Sequence, residues 1–284
     1  MGKYRKILIA LDGSLSSMHA LRESFKFADN EKSWMTAVSV IPPYLGDLDT
    51  TAVGDVMASL RKPCEEALAE AKRMADEAKV MLRTVCEEGE THERIVDLAD
   101  VENFDLIIMG RRGRKRIEKA LVGSVTARVI GYSHRDVLVV PKDKNIGWNR
   151  ILLATDGSKF SNVATERAID FAKSYGGVLI IVSVVDVPSE YYGEAPEAWD
   201  NLVTKARGYV EKARQQAEAS GVKAEAYVKE AETYQAIIGL AEEKKADTVI
   251  MGSHGRTGLK RLLMGSVTEK VIGHSPCPVL VVRE

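Results

Sequence analysis

The chain has 284 residues, with 40 Lys plus Arg against 41 Asp plus Glu, a formal net charge of -1 and 45% hydrophobic residues. That length is too great for one small core and suits two compact domains, and the balanced charge argues against a dedicated DNA or RNA binder while leaving room for an anionic ligand in a local pocket. No apolar run approaches bilayer length, and the basic start at residues 1–6 runs straight into a strand-like segment, so neither a membrane span nor a signal peptide is expected.

In chain order, the first apolar run, 7–11, lacks alternation, as expected of a strand buried on both faces. Asp12-Gly13-Ser14 follows, with Ser14 where a helix N-cap belongs. A second strand is expected over 34–41, ending at Pro42 and Pro43. A long helix rich in Ala, Glu, Lys and Arg is expected around 60–79, with an amphipathic pattern that covers a sheet. A third strand over 80–87, a short helix, a fourth strand over 105–109, a helix opening at Gly123-Ser124 and a last strand over 137–140 complete the unit. Segment 45–61 is less patterned than its later counterpart and is left unassigned; a cover over the first pocket is one reading.

The pattern is then written again. Arg-Ile-Leu-Leu-Ala-Thr-Asp-Gly at 150–157 answers Lys-Ile-Leu-Ile-Ala-Leu-Asp-Gly at 6–13, and the segment from Asp247 to Val282 answers that from Asp105 to Val140. Strands are expected over 178–185, 222–229, 247–251 and 279–282, and a long helix over 199–220. Whole-domain repetition places domains at 1–143 and 148–284, with a polar seam at 142–147. Alternating strands and helices imply an α/β class: two tandem doubly wound domains with right-handed crossovers and mainly parallel sheets. An exposed edge strand such as 137–140 or 279–282 invites a partner.

Two features sit at strand ends in each repeat, where such sheets bind ligands. One is the aspartate after the first strand, Asp12 or Asp156. The other is a glycine loop after the fourth: Gly110-x-x-Gly113, nine residues, Gly123-Ser124, and again Gly252-x-x-Gly255, nine residues, Gly265-Ser266. Glycines let backbone N–H groups approach a phosphate, and the closing Gly-Ser opens a helix whose N-terminus favours an anion. A carboxylate accepts hydrogen bonds from ribose hydroxyls. Neither repeat carries GxxxxGK[ST], or GxGxxG after its first strand, which disfavours P-loop hydrolysis and dinucleotide binding.

This wording resembles the universal stress protein family, in its ATP-binding branch, over nearly the whole chain. The resemblance implies a five-stranded parallel sheet of order 3-2-1-4-5 in each domain and ATP as ligand, with a Mg²⁺ requirement left open. It implies that 137–140 and 279–282 pair within one chain as an intramolecular pseudo-dimer, with higher assembly into a homodimer left open. It also implies that Asp12 and Asp156 meet the ribose and that the backbone of Val40 and Val184 meets the adenine edge. Gly110, Gly113, Gly123 and Ser124, with Gly252, Gly255, Gly265 and Ser266, then cradle the phosphates, helped by Val125, Thr126, Val267 and Thr268. The second loop, Gly252-Ser253-His254-Gly255, keeps the family's wording. The first, Gly110-Arg111-Arg112-Gly113-Arg114-Lys115-Arg116, departs from it, and its cations fit either phosphate binding or a solvated surface run.

The five histidines share no metal-ligand spacing, and only His254 lies in a glycine loop. Ser14 and Ser158 have no partnered histidine in view, so no catalytic or metal residue is assigned. The resulting expectation is a cytoplasmic, ATP-binding, stress-response regulatory protein with at most slow hydrolysis and an unidentified protein partner. The alternatives are an adenylating or ATP-cleaving enzyme and a scaffold with inactive pockets. Cys64, Cys86 and Cys277 are too scattered for a disulfide framework and are expected as reduced thiols.

Overall fold

The computed structural model describes residues 3–43, 53–113, 121–186, 196–255 and 264–283. Arg114, Lys115, Arg116 and Pro188, the first part of segment 45–61, and the positions after Gly255 in the second loop lie outside the described residues. The chain divides into two compact units, Met1–Asp143 and Lys144–Glu284.

The first unit runs β1 (Lys6–Ala10), α1 (Leu15–Glu31), β2 (Trp34–Ile41), α2 (Val53–Glu77), β3 (Leu82–Glu88), α3 (Thr91–Val101), β4 (Leu106–Gly110), α4 (Ser124–Tyr132) and β5 (Asp136–Val140). Its strands are parallel in the order β3-β2-β1-β4-β5. The second unit repeats this with β6 (Arg150–Ala154), α5 (Lys159–Tyr175), β7 (Val178–Val185), α6 (Pro196–Ala219), β8 (Lys223–Glu230), α7 (Thr233–Glu243), β9 (Thr248–Gly252), α8 (Ser266–His274) and β10 (Val279–Val282). Its order is β8-β7-β6-β9-β10, again parallel. In each unit the chain leaves β1 or β6 toward one side of the sheet and later returns to its other side. The strand order therefore reverses between β1 and β4, and between β6 and β9, which opens a crevice at their C-terminal ends.

Local chemistry explains the elements. Ile7, Leu8 and Ile9, like Ile151, Leu152 and Leu153, are fully buried, as strands covered on both faces require. Ser14 caps α1 by accepting from the Ser17 N–H at 3.2 Å, and Ser158 caps α5 by accepting from the Ser161 N–H at the same distance. The turn before each cap needs a left-handed residue, supplied by Gly13 (φ 72°) and Gly157 (φ 75°). Helix α2 begins at Val53, earlier than the pattern around 60–79 indicated, and carries Pro63 inside it. Among the described residues no helix is long and apolar enough to cross a membrane.

The cysteine expectation needs correction. Cys64 on α2 and Cys86 on β3 form a disulfide, with Cα atoms 6.6 Å apart. The two residues are distant in sequence and share no motif, so spacing gave no sign of them; the fold of α2 onto β3 brings them together. Cys277 alone stays a free thiol, and burial pushes its pKa up to about 11. In the second unit the positions matching Cys64 and Cys86 are Ala206 and Val228. There Ala206 packs with Val185 and Val203, and Val228 lies against that cluster. One unit thus holds its long helix to its edge strand covalently, and the other does so by apolar contact.

Thiol titration checks this. Protein purified without reductant should show no reactive thiol when native at pH 8, one after denaturation, and three after denaturation with reductant. Replacing the pair with the second unit's residues, Cys64→Ala with Cys86→Val, should lower stability by about 3 kcal/mol, the loop-closure contribution expected for a crosslink spanning 22 residues.

Candidate functional site

Each crevice is a cavity, of about 420 Å³ in the first unit and about 300 Å³ in the second. These volumes lie in the range of small-ligand clefts. Asp12, Val40, Gly110, Gly113, Gly123, Ser124, Val125 and Thr126 all line the first. Asp156, Val184, Gly252, Gly255, Gly265, Ser266, Val267 and Thr268 all line the second. Every residue assigned to ribose, base or phosphate from the sequence therefore comes to one of two corresponding hollows.

The aspartates are held from behind. Asp12 Oδ1 accepts from the Ser14 N–H at 3.0 Å and from the Ser17 hydroxyl at 2.8 Å, and Asp156 Oδ1 accepts from the Ser158 N–H at 3.0 Å. The other oxygen faces the glycine loop. A Cβ built on Gly255 would lie 2.9 Å from Asp156 Oδ2, and one on Gly113 would collide with Asp12 Oδ2. The second glycine of each loop thus leaves the space in front of the carboxylate open.

The first glycine has a different task. A Cβ on Gly110 would lie 2.8 Å from the Ser16 carbonyl carbon and 2.9 Å from the Ser17 nitrogen, and one on Gly252 would lie 2.9 Å from the Phe160 carbonyl carbon. These are backbone atoms of the first turns of α1 and α5, which cannot yield. Gly110 and Gly252 line the cavities, yet their lack of a side chain serves the packing of strand end against helix.

Helices α4 and α8 open toward the cavities. Their N-caps, Gly123 and Gly265, offer no side-chain cap, in contrast to the serine caps of α1 and α5. The first-turn N–H groups and the positive end of the helix dipole therefore remain suited to an anion. The loops close on themselves: Gly123 N–H donates to the Arg111 carbonyl at 3.0 Å, and Gly265 N–H to the Ser253 carbonyl at 3.1 Å. Thr126 and Thr268 are buried. The Thr126 hydroxyl donates to the Gly110 carbonyl at 3.1 Å and that of Thr268 to the Gly252 carbonyl at 3.3 Å, so both side chains brace the loop.

Several lining residues escaped the sequence reading. Ser17 and Ser161 sit in the first turns of α1 and α5, and Thr91 with Ile95, matched by Thr233 with Ile237, come from α3 and α7. Each pair recurs at matching positions of the two repeats, which was the available signal. Asp186 was missed for the opposite reason, because its counterpart is Pro42. Its Oδ2 accepts from the Thr233 N–H at 2.8 Å and hydroxyl at 2.9 Å at the mouth of the second cavity. His254 does line that cavity. Among the described residues no group of three or more His, Cys, Asp or Glu gathers as a metal site.

A model of the universal stress protein family matches residues 3–141 and again 147–283. The chain belongs to the universal stress protein family. A universal stress protein of Mycolicibacterium smegmatis is 28% identical over 98% of this chain and 96% of its own length. One from Methanocaldococcus jannaschii is 39% identical over 48% of this chain and 83% of its own length. The crystal structure of a universal stress protein from Archaeoglobus fulgidus covers 100% of this chain and 97% of its own, with a TM-score of 0.75 at 24% identity, which shows a shared fold.

The two glycines of a universal stress protein loop should respond differently to substitution. Gly252→Ala should destabilise its unit by about 1–3 kcal/mol, because the added carbon meets helix backbone. Gly255→Ala should leave stability within about 0.5 kcal/mol, because the added carbon meets only a side-chain oxygen. Thermal unfolding of the two variants compares them directly.

Proposed function

We propose that each unit binds an adenine nucleotide, ATP foremost, and that occupancy of these sites is the signal the protein passes on in a stress response. The observation that carries this reading is the pairing across one hollow of a back-anchored carboxylate with an uncapped helix N-terminus. Two poles so placed match a ribose diol at one end and a phosphate chain at the other. The strand ends at Val40 and Val184 line the same hollows and offer backbone groups to the edge of a base. Asp12 and Asp156 accept from the sugar; Gly113, Ser124 and Val125, with Gly255, Ser266 and Val267, present main-chain donors to phosphate, and Gly123 and Gly265, whose N–H groups close the loops, keep the cradle clear of side chains. A Mg²⁺ accompanying the nucleotide would be held chiefly by the phosphates, since the lining is poor in clustered ligands. The regulatory role, a cytoplasmic setting and a protein partner go with this reading.

Denaturing freshly purified protein and separating any released small molecule by chromatography should yield adenine nucleotide. Calorimetry then tests the placement. Asp156→Ala should weaken ATP binding at the second site about ten- to a hundredfold, the usual loss for hydrogen bonds to a charged group. Gly265→Val should abolish it by filling the cradle. Unchanged affinity in both variants refutes the placement, and rapid production of ADP or AMP with a co-substrate would replace a binding module with an enzyme.

A further inference from the structure

The two hollows share a backbone but differ in charge. In the first, the charged lining residues are Asp12 and Arg112; in the second, they are Asp156 and Asp186, with His254 beside them. Arg112 lies at the phosphate end, between Gly110 and Gly113, and its Nε donates to the Leu121 carbonyl at 3.3 Å, across the loop and just before Gly123. Arg111 stands next to it, half-buried; burial, and then the charge of Arg112, push its guanidinium below the usual arginine range. An anion at this loop would offset both like charges. Ser253 and His254 occupy the matching positions in the second unit. Ser253 is fully buried, and the His254 ring lies 5.5 Å from Phe160 with Nδ1 3.2 Å from the Ser253 hydroxyl. The surrounding sequence has the same bias: six Lys and Arg with one Glu separate Gly110 from Gly123, against three Lys and Arg separating Gly252 from Gly265. At the opposite mouth the uncharged Pro42 lines the first hollow where Asp186 lines the second.

Building on the nucleotide reading above, we propose that the two sites count phosphates differently: Arg112 makes the first site selective for a nucleoside triphosphate over the monophosphate, while the second site binds the two with more nearly equal affinity. Each added phosphate brings negative charge toward a guanidinium in one hollow and toward a hollow carrying two carboxylates in the other. Guanidinium–phosphate bonds are charge-assisted, and a small hollow keeps the charges within a Debye length of about 8 Å. A falling triphosphate-to-monophosphate ratio therefore exchanges the ligand of the first unit before that of the second. One chain then has states that a pair of identical sites lacks.

The test uses the full chain with one site closed at a time. Asp156→Ala with Gly265→Val leaves the first site, and Asp12→Ala with Gly123→Val leaves the second; circular dichroism and melting confirm the fold of each. Calorimetry with ATP and with AMP at 0.15 M salt should give an ATP-to-AMP affinity ratio about tenfold higher at the first site. Adding Arg112→Ser should bring that ratio down to the second site's value, Arg112→Lys should keep most of it, and Asp186→Asn should raise the ratio at the second. Equal ratios, or a ratio untouched by Arg112→Ser, overturn the discrimination while the nucleotide reading stands. No binding by the closed-site proteins or by the unmodified chain overturns both. If a closing pair unfolds its unit, Arg112→Ser in the otherwise unmodified chain decides. One of its two ATP constants should weaken about tenfold with both AMP constants unmoved, and two unmoved ATP constants overturn the proposal.

Discussion

The close approach of β4 to the first turn of α1, and of β9 to the first turn of α5, is the constraint on which the sites depend. At Gly110 and Gly252 a single added carbon would lie within 3 Å of helix backbone. Because the strand ends can come that near, the two loops that leave them, one carrying the aspartate and one carrying the glycines, open into the same crevice. The serine caps then complete the arrangement. They begin α1 and α5 immediately after the aspartates and turn one carboxylate oxygen back into the helix start. The other oxygen is left toward the loop, so the geometry of the hollow follows from how tightly strand and helix pack.

Much of this was legible in the sequence for a reason that lies in the repeat. Unalternating apolar runs mark strands buried on both faces, and the same Asp-Gly-Ser and Gly-Ser punctuation occurs twice. Strand and helix types and the gathering of Asp12, Gly113 and Gly123 follow from that pattern. What it could not separate were residues of one type doing different work. Gly110 and Gly113 look alike in a motif, yet one clears helix backbone and the other clears a carboxylate. Thr126 and Thr268 look like phosphate ligands, yet their hydroxyls brace loop carbonyls. Such roles depend on which neighbour lies within about 3 Å, and spacing carries no information about that.

The cysteines show the same limit more sharply. Cys64 and Cys86 belong to no motif, and the small number and scatter of the cysteines pointed to free thiols. Only the docking of α2 against β3 makes them neighbours. Two of the three thiols that had supported a reducing compartment are therefore removed from that argument. The second unit is informative because it meets the same mechanical need with Ala206 and Val228 in an apolar cluster.

Duplication explains why such differences are tolerated. The features shared by both units are those that backbone geometry demands: left-handed glycines at the turn, serine caps, and glycines at the strand ends. Of the features that differ, Arg112 against His254 and Pro42 against Asp186 line the hollows away from the glycine–helix contact, whereas Cys64 against Ala206, both buried, exchanges a covalent for an apolar tie between long helix and edge strand. A substitution at the rim changes the field inside a hollow by a whole charge while leaving the strand–helix frame intact, because that frame is set by main-chain contacts. Two copies of one frame can thus diverge in what they attract without either losing the fold. The rim is accordingly where a difference in ligand preference between the units has to arise.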